Sequence, residues 1–365
     1  MLRPSEFHEI VSGRRRGVGA CLLRGALGAC EPFYAAAVRW RNRRYDRGTA
    51  AVHRVGVPVV SVGNLTLGGT GKTPAVQTIC RILMEQGKRV VILSRGHGGS
   101  AQGAIIASDG ERILADSSVA GDEPILLART LPGIPIVVGR DRRESGKLAC
   151  EQFAPDVIVL DDGMQYWQLH RDLDIVVLDA KKPFGSGFVM PMGDLREPAS
   201  GLNRAGVILL ANARAIDDAH YIALIDRIAK LAPSATIFRC AREAVCFTDA
   251  LTGERIGLEW AKRRSVLAFC GIGKPISFLD MLDSLGAFVA RSVIFPDHYR
   301  MSCLDRKRII DEADACDAQA IVTTEKDIAR LGESIDIPTL HALVIRLEIE
   351  DGASFAQHIT NWINC

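Results

Sequence analysis

The sequence predicts an α/β fold: a domain built on a parallel β-sheet with helices on both faces, and a smaller α/β domain joined to it by a short two-stranded linker. Three observations support this prediction. Short apolar runs rich in β-branched residues alternate with stretches of helical periodicity after Gly56. These runs lack polar alternation, which is typical of strands buried on both faces of a parallel sheet. With 365 residues, 48% of them hydrophobic and 24% charged, the chain is long and apolar enough for two globular domains.

The chain is predicted to fall into four segments. These are a basic leader over 1–50, the larger domain over 51–234, the linker over 235–248 and the smaller domain over 249–365. The linker is placed where two short runs, 236–240 and 244–247, have strand character and residues 249–253 supply turn chemistry.

The leader combines helical periodicity with positive charge. Residues 1–50 contain ten arginines and no lysine against four acidic residues, whereas the whole chain has a net charge of +2. Apolar residues recur every three or four positions from Val18 to Trp40, and the proline in Glu31-Pro32 predicts two helices joined there. An aromatic residue beside an arginine cluster is typical of a helix lying on an anionic membrane surface; the alternative is a packed helix with its arginines in water. Nucleic-acid binding is not favoured, because the basic excess is confined to the leader.

The apolar stretches of the leader are too short to span a membrane. Gly17–Leu23 and Gly25–Cys30 are separated by Arg24, and neither reaches the roughly 18 residues that a span needs. We therefore predict no transmembrane helix, and the charges at Glu31 and in the arginine cluster argue against a secretory signal. The ten cysteines include no CxxC pair, which favours a reducing cytoplasm without a disulfide framework.

The remaining elements are predicted in chain order from apolar runs and helix signals. Strands of the larger domain are predicted over 58–62, 90–94, 136–138, 157–161, 175–178 and 207–210. A helix is predicted over 73–86, because Pro74 suits its first turn and Gly87 its end. The smaller domain is predicted to have strands over 266–270, 288–295, 320–323 and 343–347, and helices over 277–285 and 354–363.

The strongest chemical signal follows the first predicted strand. Residues 63–74 read Gly-Asn-Leu-Thr-Leu-Gly-Gly-Thr-Gly-Lys-Thr-Pro, a glycine-rich turn between a strand and a helix. A phosphate-binding P-loop has this context, because backbone N–H groups of the turn and the helix N-terminus face phosphate oxygens. Lys72 would reach the β- and γ-phosphate oxygens of a bound nucleotide and Thr73 would ligate Mg²⁺, although Thr66 replaces the usual first glycine. The predicted nucleotide-binding residues are Thr66, Leu67, Gly68, Gly69, Thr70, Gly71, Lys72 and Thr73.

Two carboxylates follow another buried strand. The run Val157–Asp161 is apolar and ends in Asp161 and Asp162. Acidic residues delivered at the carboxyl end of a strand beside a P-loop resemble the element that holds Mg²⁺ directly or through water. The sequence therefore predicts a Mg²⁺ site formed by Thr73, Asp161 and Asp162.

Three further motifs carry reactive side chains. They are Gly-Asp-Glu-Pro at 121–124, Gly-Arg-Asp-Arg at 139–142 and Phe-Pro-Asp-His-Tyr at 295–299. Taken singly, Asp122 suits a helix cap, Arg142 a surface charge and His298 a turn. Phosphorylation of an alcohol nevertheless requires a carboxylate or imidazole to receive the hydroxyl proton.

The ordered set of motifs resembles the tetraacyldisaccharide 4'-kinase family of lipid A synthesis over nearly the whole chain. The motifs are Gly63-Asn64-Leu65-Thr66, Gly68-Gly69-Thr70-Gly71-Lys72-Thr73-Pro74, Ser94-Arg95-Gly96, Gly121-Asp122-Glu123-Pro124, Asp141-Arg142, Leu160-Asp161-Asp162-Gly163-Met164-Gln165, Arg171-Asp172-Leu173, Leu195-Arg196-Glu197-Pro198, Pro296-Asp297-His298-Tyr299 and Thr324-Glu325-Lys326-Asp327. In this family the first glycine of the P-loop is commonly replaced, as it is here by Thr66. The family usually has histidine after Asp-Asp-Gly-x-Gln, where this chain has Tyr166.

The resemblance implies phosphorylation of the 4'-hydroxyl of a tetraacylated glucosamine disaccharide 1-phosphate, with ATP and Mg²⁺, to give lipid IVA. The family pairs an aspartate base with a histidine, which correspond to Asp122 and His298. Arg95, Arg142 and Gln165 match family positions near the phosphates or the substrate. The implied partners are the lipid disaccharide and the anionic inner membrane, at whose cytoplasmic face the protein would be peripheral, with no nucleic acid and no obligate protein partner.

Two other classes of protein combine some of these features. A membrane-associated P-loop switch of the partition or septum-site type also has GGxGKT, but it carries lysine where this chain has Leu67. A GTPase metallochaperone is disfavoured because no cysteine and histidine cluster has ligand spacing, and Thr324–Asp327 is out of register with the guanine-binding [NT]KxD motif.

Overall fold

The computed structural model of the chain describes residues 11, 15, 17–297, 299–332 and 335–364. Contacts divide the chain into two compact units. The first unit consists of Met1–Lys72, Asp162–Ala241 and Ile349–Cys365, and the second consists of Thr73–Asp161 and Arg242–Glu348. This division groups segments that are distant in sequence, and the linear domain boundaries of the sequence analysis remain a prediction.

Strands and helices alternate through most of the described chain. The strands are β1 (Val59–Gly63), β2 (Val90–Ser94), β3 (Ile105–Ser108), β4 (Ile136–Val138), β5 (Val157–Asp161), β6 (Leu173–Asp179), β7 (Val207–Ala211), β8 (Thr236–Asp249), β9 (Arg255–Ile256), β10 (Ser265–Cys270), β11 (Phe288–Ile294), β12 (Ala320–Thr324) and β13 (Leu340–Ile349). The helices are α1 (Val18–Asp46), α2 (Lys72–Glu85), α3 (Ser117–Ala120), α4 (Asp122–Thr130), α5 (Arg142–Phe153), α6 (Asp218–Leu231), α7 (Pro275–Ser284), α8 (Cys303–Ala315), α9 (Glu325–Leu331) and α10 (Gly352–Asn364).

The first unit is built on a parallel sheet. Strands β1, β6 and β7 and the beginning of β8 pair in that order, all parallel. Every residue of β1, β6 and β7 is buried, which explains why β1, β7 and the centre of β6 are largely apolar without alternation. Leu65, Met164, Leu210 and Ile228 belong to one core cluster on this sheet. The core fixes the carboxyl end of β1, from which the glycine-rich turn starts.

The second unit contains two groups of parallel strands. In one group β5, β2 and β4 pair in that order, and β3 adds to β4 in antiparallel orientation. In the other group β11, β10, β12 and β13 are parallel, while β9 pairs antiparallel with the end of β8. The two faces of β10 are buried in separate clusters, one containing Phe278 and the other containing Phe269. The predicted α/β architecture with largely parallel strands is confirmed.

The leader differs from its predicted form, because α1 is one helix that includes Pro32 rather than two helices joined there. Proline removes one backbone donor, and the residues around it supply enough helix-forming alanine, leucine and arginine to continue on both sides. No helix among the described residues is both long and apolar enough to cross a bilayer.

The linker also differs, because its two predicted strands are parts of the single strand β8. The polar residues between them, Arg242 and Glu243, interrupt the apolar pattern on which the prediction was based. Residues 236–240 pair with β7 and residues 247–248 pair with β9, so backbone pairing at both ends keeps the intervening residues extended.

The other predicted strands and helices are found within three residues of their predicted ends. The short strands β3 and β9 and helices α3, α4, α5, α6, α8 and α9 were not predicted. Helix α8 shows why, since its sequence is mostly polar and only Ile309 and Ala313 of it are buried. A helix with so narrow an apolar stripe gives a weak periodic signal.

Candidate active site

The predicted phosphate-binding turn lies between the buried strand β1 and the first residue of α2. Gly68 and Gly71 have φ angles of 97° and 102°, which residues with a Cβ rarely adopt. Gly63 is needed for a different reason, because a Cβ there would lie 2.5 Å from the Cβ of Met164. The path of the backbone therefore explains why glycine occupies these positions. The turn leads into the N-terminus of α2, and helix N-termini stabilise phosphate oxygens.

Lys72 is held at the start of α2 by two oxygen atoms of the first unit. Its Nζ donates to Asn64 Oδ1 over 3.2 Å and lies 3.5 Å from Asp162 Oδ1. Asn64 is fully buried and donates from Nδ2 to Thr70 Oγ1 over 2.9 Å. The hydrogen bond to Asn64 thus holds the ammonium group of Lys72 close to the glycine-rich turn that would bind the phosphates.

Asp162 lies between two cations. Arg196 donates from Nη1 to both of its carboxylate oxygens over 2.8 Å, in addition to the contact with Lys72. Burial works to raise the pKa of Asp162, but the positive charges of Lys72 and Arg196 outweigh it and lower the pKa overall. Asp162 is therefore ionised at neutral pH and serves as a counterion to the lysine.

Asp161 is placed by two neighbouring strands of the second unit. It ends β5, and the adjacent strand β2 ends in Ser94, whose Oγ donates to Asp161 Oδ2 over 3.0 Å. Both side chains are buried, with 3% of each residue exposed. Arg95 follows directly and is exposed at this edge.

Thr73, Asp161 and Asp162 remain the predicted Mg²⁺ ligands: their oxygen donors suit the metal, while both carboxylate oxygens of Asp162 accept from Arg196. A hydroxyl and two carboxylates are hard oxygen ligands, and Mg²⁺ in nucleotide sites is typically bound by one or two carboxylates together with phosphate oxygens and water. Thr73 is the second residue of α2, the position at which a P-loop presents its hydroxyl to the metal.

Glu197 is a buried acceptor that joins several parts of the first unit. It is fully buried, and it accepts hydrogen bonds from Arg204, from Gln165 Nε2 over 3.0 Å and from Asn42 Nδ2 over 2.8 Å. Gln165 Nε2 also donates to the carbonyl oxygen of Asn64, over 3.0 Å. Gln165 is thereby connected to the phosphate-binding turn on one side and to helix α1 on the other.

Asp122 begins helix α4 in the second unit and is 8% exposed. The preceding Gly121 has a φ angle of 91°, and a Cβ there would lie 2.6 Å from the carbonyl oxygen of His97. Arg330 donates from Nε to Asp122 Oδ2 over 2.9 Å, and from Nη2 to Asp297 Oδ1 over 3.4 Å. The same guanidinium therefore contacts the candidate base and the residue that precedes His298. His298 itself lies outside the described residues.

Arg142 is buried, unlike the exposed Arg95. It is the first residue of α5, is 3% exposed and donates from Nη1 to the carbonyl oxygen of Arg140 over 2.9 Å. The structure thus groups Lys72, Asp162 and Gln165 around Asn64 in the first unit. In the second unit it places Asp161 beside Ser94, with Arg95 next in sequence, and groups Asp122 with Asp297.

Sequence reasoning gave no role to Asn64, Arg196, Glu197 or Arg330. The first three belong to motifs on which the family resemblance rests, and Arg330 follows the Thr324–Asp327 motif by three residues. Their place in or near these motifs was the only sign in the sequence that the four residues matter. Their hydrogen-bond partners could not be predicted, because Glu197 and its partner Asn42, for example, are 155 residues apart in the chain.

The chain is similar to known proteins over most of its length. The profile of the tetraacyldisaccharide-1-P 4'-kinase family matches residues 24–364. Tetraacyldisaccharide 4'-kinase from Anaeromyxobacter sp. (strain K) is 41% identical over 321 residues, which cover 87% of this chain and 84% of that protein. The protein of the same name from Syntrophus aciditrophicus (strain SB) is 39% identical over 332 residues, covering 88% of each. LpxK from Aquifex aeolicus, solved in complex with ATP, matches with a TM-score of 0.76 at 31% identity, over 93% of this chain and 99% of that one. The chain belongs to the tetraacyldisaccharide 4'-kinase family and has its P-loop NTPase-like fold.

Proposed function

We propose that this chain transfers the γ-phosphoryl group of ATP to the 4'-hydroxyl of a tetraacyldisaccharide 1-phosphate and so forms lipid IVA. The observation that carries the proposal is the glycine-rich turn with Lys72 at the start of α2, in a chain matched over residues 24–364 by this kinase family. ATP and Mg²⁺ are the cofactors. A partition-type switch is not favoured by these comparisons.

The residues around the turn supply charge and position. Phosphoryl transfer depends mostly on positioning and on electrostatic stabilisation of the spreading negative charge. We assign the contact with the transferring phosphoryl group to Lys72, and the holding of Mg²⁺ to Thr73, Asp161 and Asp162. When bound, Mg²⁺ neutralises charge on the β- and γ-phosphates.

We assign the acceptance of the hydroxyl proton to Asp122. As the 4'-oxygen attacks the γ-phosphorus and ADP leaves, Asp122 takes the hydroxyl proton and His298 assists it as a partner. Two observations support this role: Asp122 is buried, and Arg330 holds it through the 2.9 Å hydrogen bond. Arg95, Arg142 and Gln165 are assigned to contacts with the phosphates or the substrate.

Helix α1 offers a surface for the membrane. Leu22, Phe33 and Trp40 are 70%, 79% and 64% exposed, and their spacing of eleven and seven residues puts them on one face of the helix. The opposite face packs on the first unit, where Ala35 is buried and Tyr45 stacks on Trp167 with ring centroids 5.3 Å apart.

The exposure of the two faces of α1 favours docking on a membrane over a packed helix whose arginines lie in water. A helix that was merely packed, with its arginines in water, would not require aromatic residues on its outer face. Arg39, Arg41, Arg43 and Arg44 are all exposed beside that apolar face, a combination that suits an anionic lipid headgroup layer. We therefore assign α1 to peripheral docking on the cytoplasmic face of the inner membrane, where the acyl chains of the substrate remain in the bilayer.

The proposed function is tested by coupling ATP consumption to the acceptor. Purified protein is incubated with ATP and Mg²⁺ in detergent micelles, with and without the tetraacyldisaccharide 1-phosphate, and ADP is measured. A kinase of this class produces ADP in proportion to the acceptor. ADP release that is equal with and without the lipid would contradict the proposal and would instead suit a P-loop switch.

A further inference from the structure

We propose that Arg330 is a positioning residue for the reaction, because one buried guanidinium holds the proton-accepting Asp122 and also the residue preceding His298. The inference rests on the proposed function and adds to it a residue outside the recognised site motifs. It also gives a role to the Thr324–Asp327 motif, which the proposed reaction does not use.

The geometry around Arg330 supports this role. Its side chain is 1% exposed, and its three nitrogen atoms have different partners. Nε donates to Asp122 Oδ2 over 2.9 Å, Nη2 donates to Asp297 Oδ1 over 3.4 Å, and Nη1 donates to Asp327 Oδ1 over 3.1 Å and to the carbonyl oxygen of Gly271. One cation thus contacts three carboxylates that belong to three separate chain segments.

The Thr324–Asp327 motif fixes the guanidinium in turn. Thr324 caps α9, with its Oγ1 accepting from the backbone N–H of Asp327 and donating to Asp327 Oδ2 over 2.6 Å. The other oxygen, Asp327 Oδ1, accepts from the backbone N–H of Gly271 over 3.0 Å and from Arg330, one helical turn later. Asp327 is therefore a fixed support, and the orientation of Arg330 follows from the cap of its own helix.

A guanidinium is required for this arrangement. Its N–H donors diverge in a plane, so that Asp122, Asp297 and Asp327 can be contacted at the same time. A lysine ammonium at the same place is a point charge on a flexible chain and would hold only part of this set. Displacement of a reacting group by about 1 Å can cost about 10²-fold in rate, so loss of the guanidinium should be visible in kcat.

Helices α4 and α9 provide a matched control for simple helix docking. Arg129, in the last turn of α4, donates from Nη1 to the carbonyl oxygen of Ile328 in α9 over 3.1 Å. This hydrogen bond joins the same two helices as the pair of Arg330 and Asp122 but does not involve a reacting group. The variants Arg330→Ala, Arg330→Lys and Arg129→Ala therefore separate positioning from docking.

The experiment measures kcat, both KM values and the melting temperature of these variants and the parent in lipid micelles with ATP and Mg²⁺. We expect kcat to fall about 10²-fold in Arg330→Ala and at least tenfold in Arg330→Lys, with the KM for ATP within threefold of the parent, and guanidinium ion to restore part of kcat in the alanine variant. Arg129→Ala should keep kcat within twofold.

Three results would overturn the inference: a folded Arg330→Lys protein with the parent's kcat, an equal loss of kcat in Arg129→Ala, or a loss confined to KM. If Arg330→Ala does not fold, the kcat of Arg330→Lys alone tests the positioning role. A parent that makes no phosphorylated lipid would instead contradict the proposed function, so the two failures are distinguishable.

Discussion

At the scale of single residues, we propose that phosphoryl transfer depends most on the ammonium group of Lys72. Asn64 and Asp162 hold it at the start of α2, and we propose that it contacts the transferring phosphoryl group, where negative charge grows in the transition state. We expect Lys72→Ala to reduce kcat at least 10³-fold. The exposed Lys230 on α6 gives a matched control, and Lys230→Ala should retain the parent's activity. Steady-state assays in micelles measure kcat for both variants, and a near-normal kcat in Lys72→Ala would contradict the assignment of a P-loop.

The two carboxylates after β5 should differ from other acidic residues in their dependence on Mg²⁺. Asn in place of Asp161 or Asp162 supplies a neutral and poorer ligand for a hard cation, so both variants should need more Mg²⁺ or lose activity. Asp156 directly precedes the same strand and is a control, because it forms an exposed ion pair with Arg89. Mg²⁺ titrations of the kinase rate distinguish the variants. Curves like the parent's for both Asp161→Asn and Asp162→Asn would make these carboxylates structural.

The proposed base and its partner should act as one unit. We expect Asp122→Ala and His298→Ala each to lower kcat by roughly 10² to 10⁴, the range usual for a positioned proton acceptor. Their double variant should lose less than the product of the two losses, because residues that act together are not additive. Independent, multiplicative losses would show that the two residues do not cooperate.

At the scale of elements, Glu197 ties helix α1 and the Gln165 loop to the core of the first unit. Burial works to raise its pKa, but Arg204 and the hydrogen bonds from Arg204, Gln165 and Asn42 prevail and lower it. A carboxyl with a lowered pKa stabilises the fold at neutral pH, and this contribution is lost as the pH falls through the folded-state pKa. Glu197→Gln should therefore lower the free energy of unfolding at pH 7 by about 3 kcal/mol, since it leaves Arg204 buried without a full countercharge.

The pH dependence provides the check on that variant. The difference in unfolding free energy between parent and Glu197→Gln should be constant near neutral pH and should narrow below about pH 4.5, the ordinary pKa of glutamate. Glu259 forms an exposed ion pair with Lys262, so Glu259→Gln is the control with almost no effect. Denaturant unfolding at several pH values measures both, and equal stability of Glu197→Gln and the parent at pH 7 would refute the role of Glu197.

Helix α1 should mediate binding to anionic lipid. Neutralising Arg39, Arg41, Arg43 and Arg44 should weaken binding to anionic vesicles by a few kcal/mol, at about 1 kcal/mol per basic residue, and the parent's binding should fall as salt rises. The KM for the lipid should rise far more than the KM for ATP. As a control for general exposed apolar surface, Ile222→Ser on α6 should leave vesicle binding unchanged, whereas Phe33→Ser should not. Vesicle co-sedimentation decides this, and equal sedimentation of all variants would mean that the arginines form only a solvated helix face.

Elements with strong local signals could be predicted from the sequence, and contacts between distant segments could not. The apolar strands and the glycine-rich turn between β1 and α2 were visible, because burial on both faces and positive φ angles restrict the residues allowed. Pro32 and the polar residues within β8 misled the prediction, because helix continuation and strand pairing outweigh a local interruption. The role of Arg330 was hidden, since an arginine shows no partner until the chain has folded.

At the scale of the whole molecule, the chain is a kinase of a lipid disaccharide, and we propose that its glycine-rich turn binds the ATP. Lys72 and Asp122 are the residues to which we assign the phosphoryl contact and the acceptance of the hydroxyl proton in this reaction. The chain matches its kinase relatives over most of their length, so the claim concerns the complete reaction rather than nucleotide binding alone.

Transfer of labelled phosphate tests this claim most directly. The protein is incubated with γ-labelled ATP, Mg²⁺ and tetraacyldisaccharide 1-phosphate in anionic vesicles, and the position of the label in the recovered lipid is determined. We expect one labelled phosphate on the 4'-oxygen of the disaccharide, and none when Lys72→Ala replaces the parent. Label that appears only as inorganic phosphate, or at another hydroxyl of the sugar, would contradict the account.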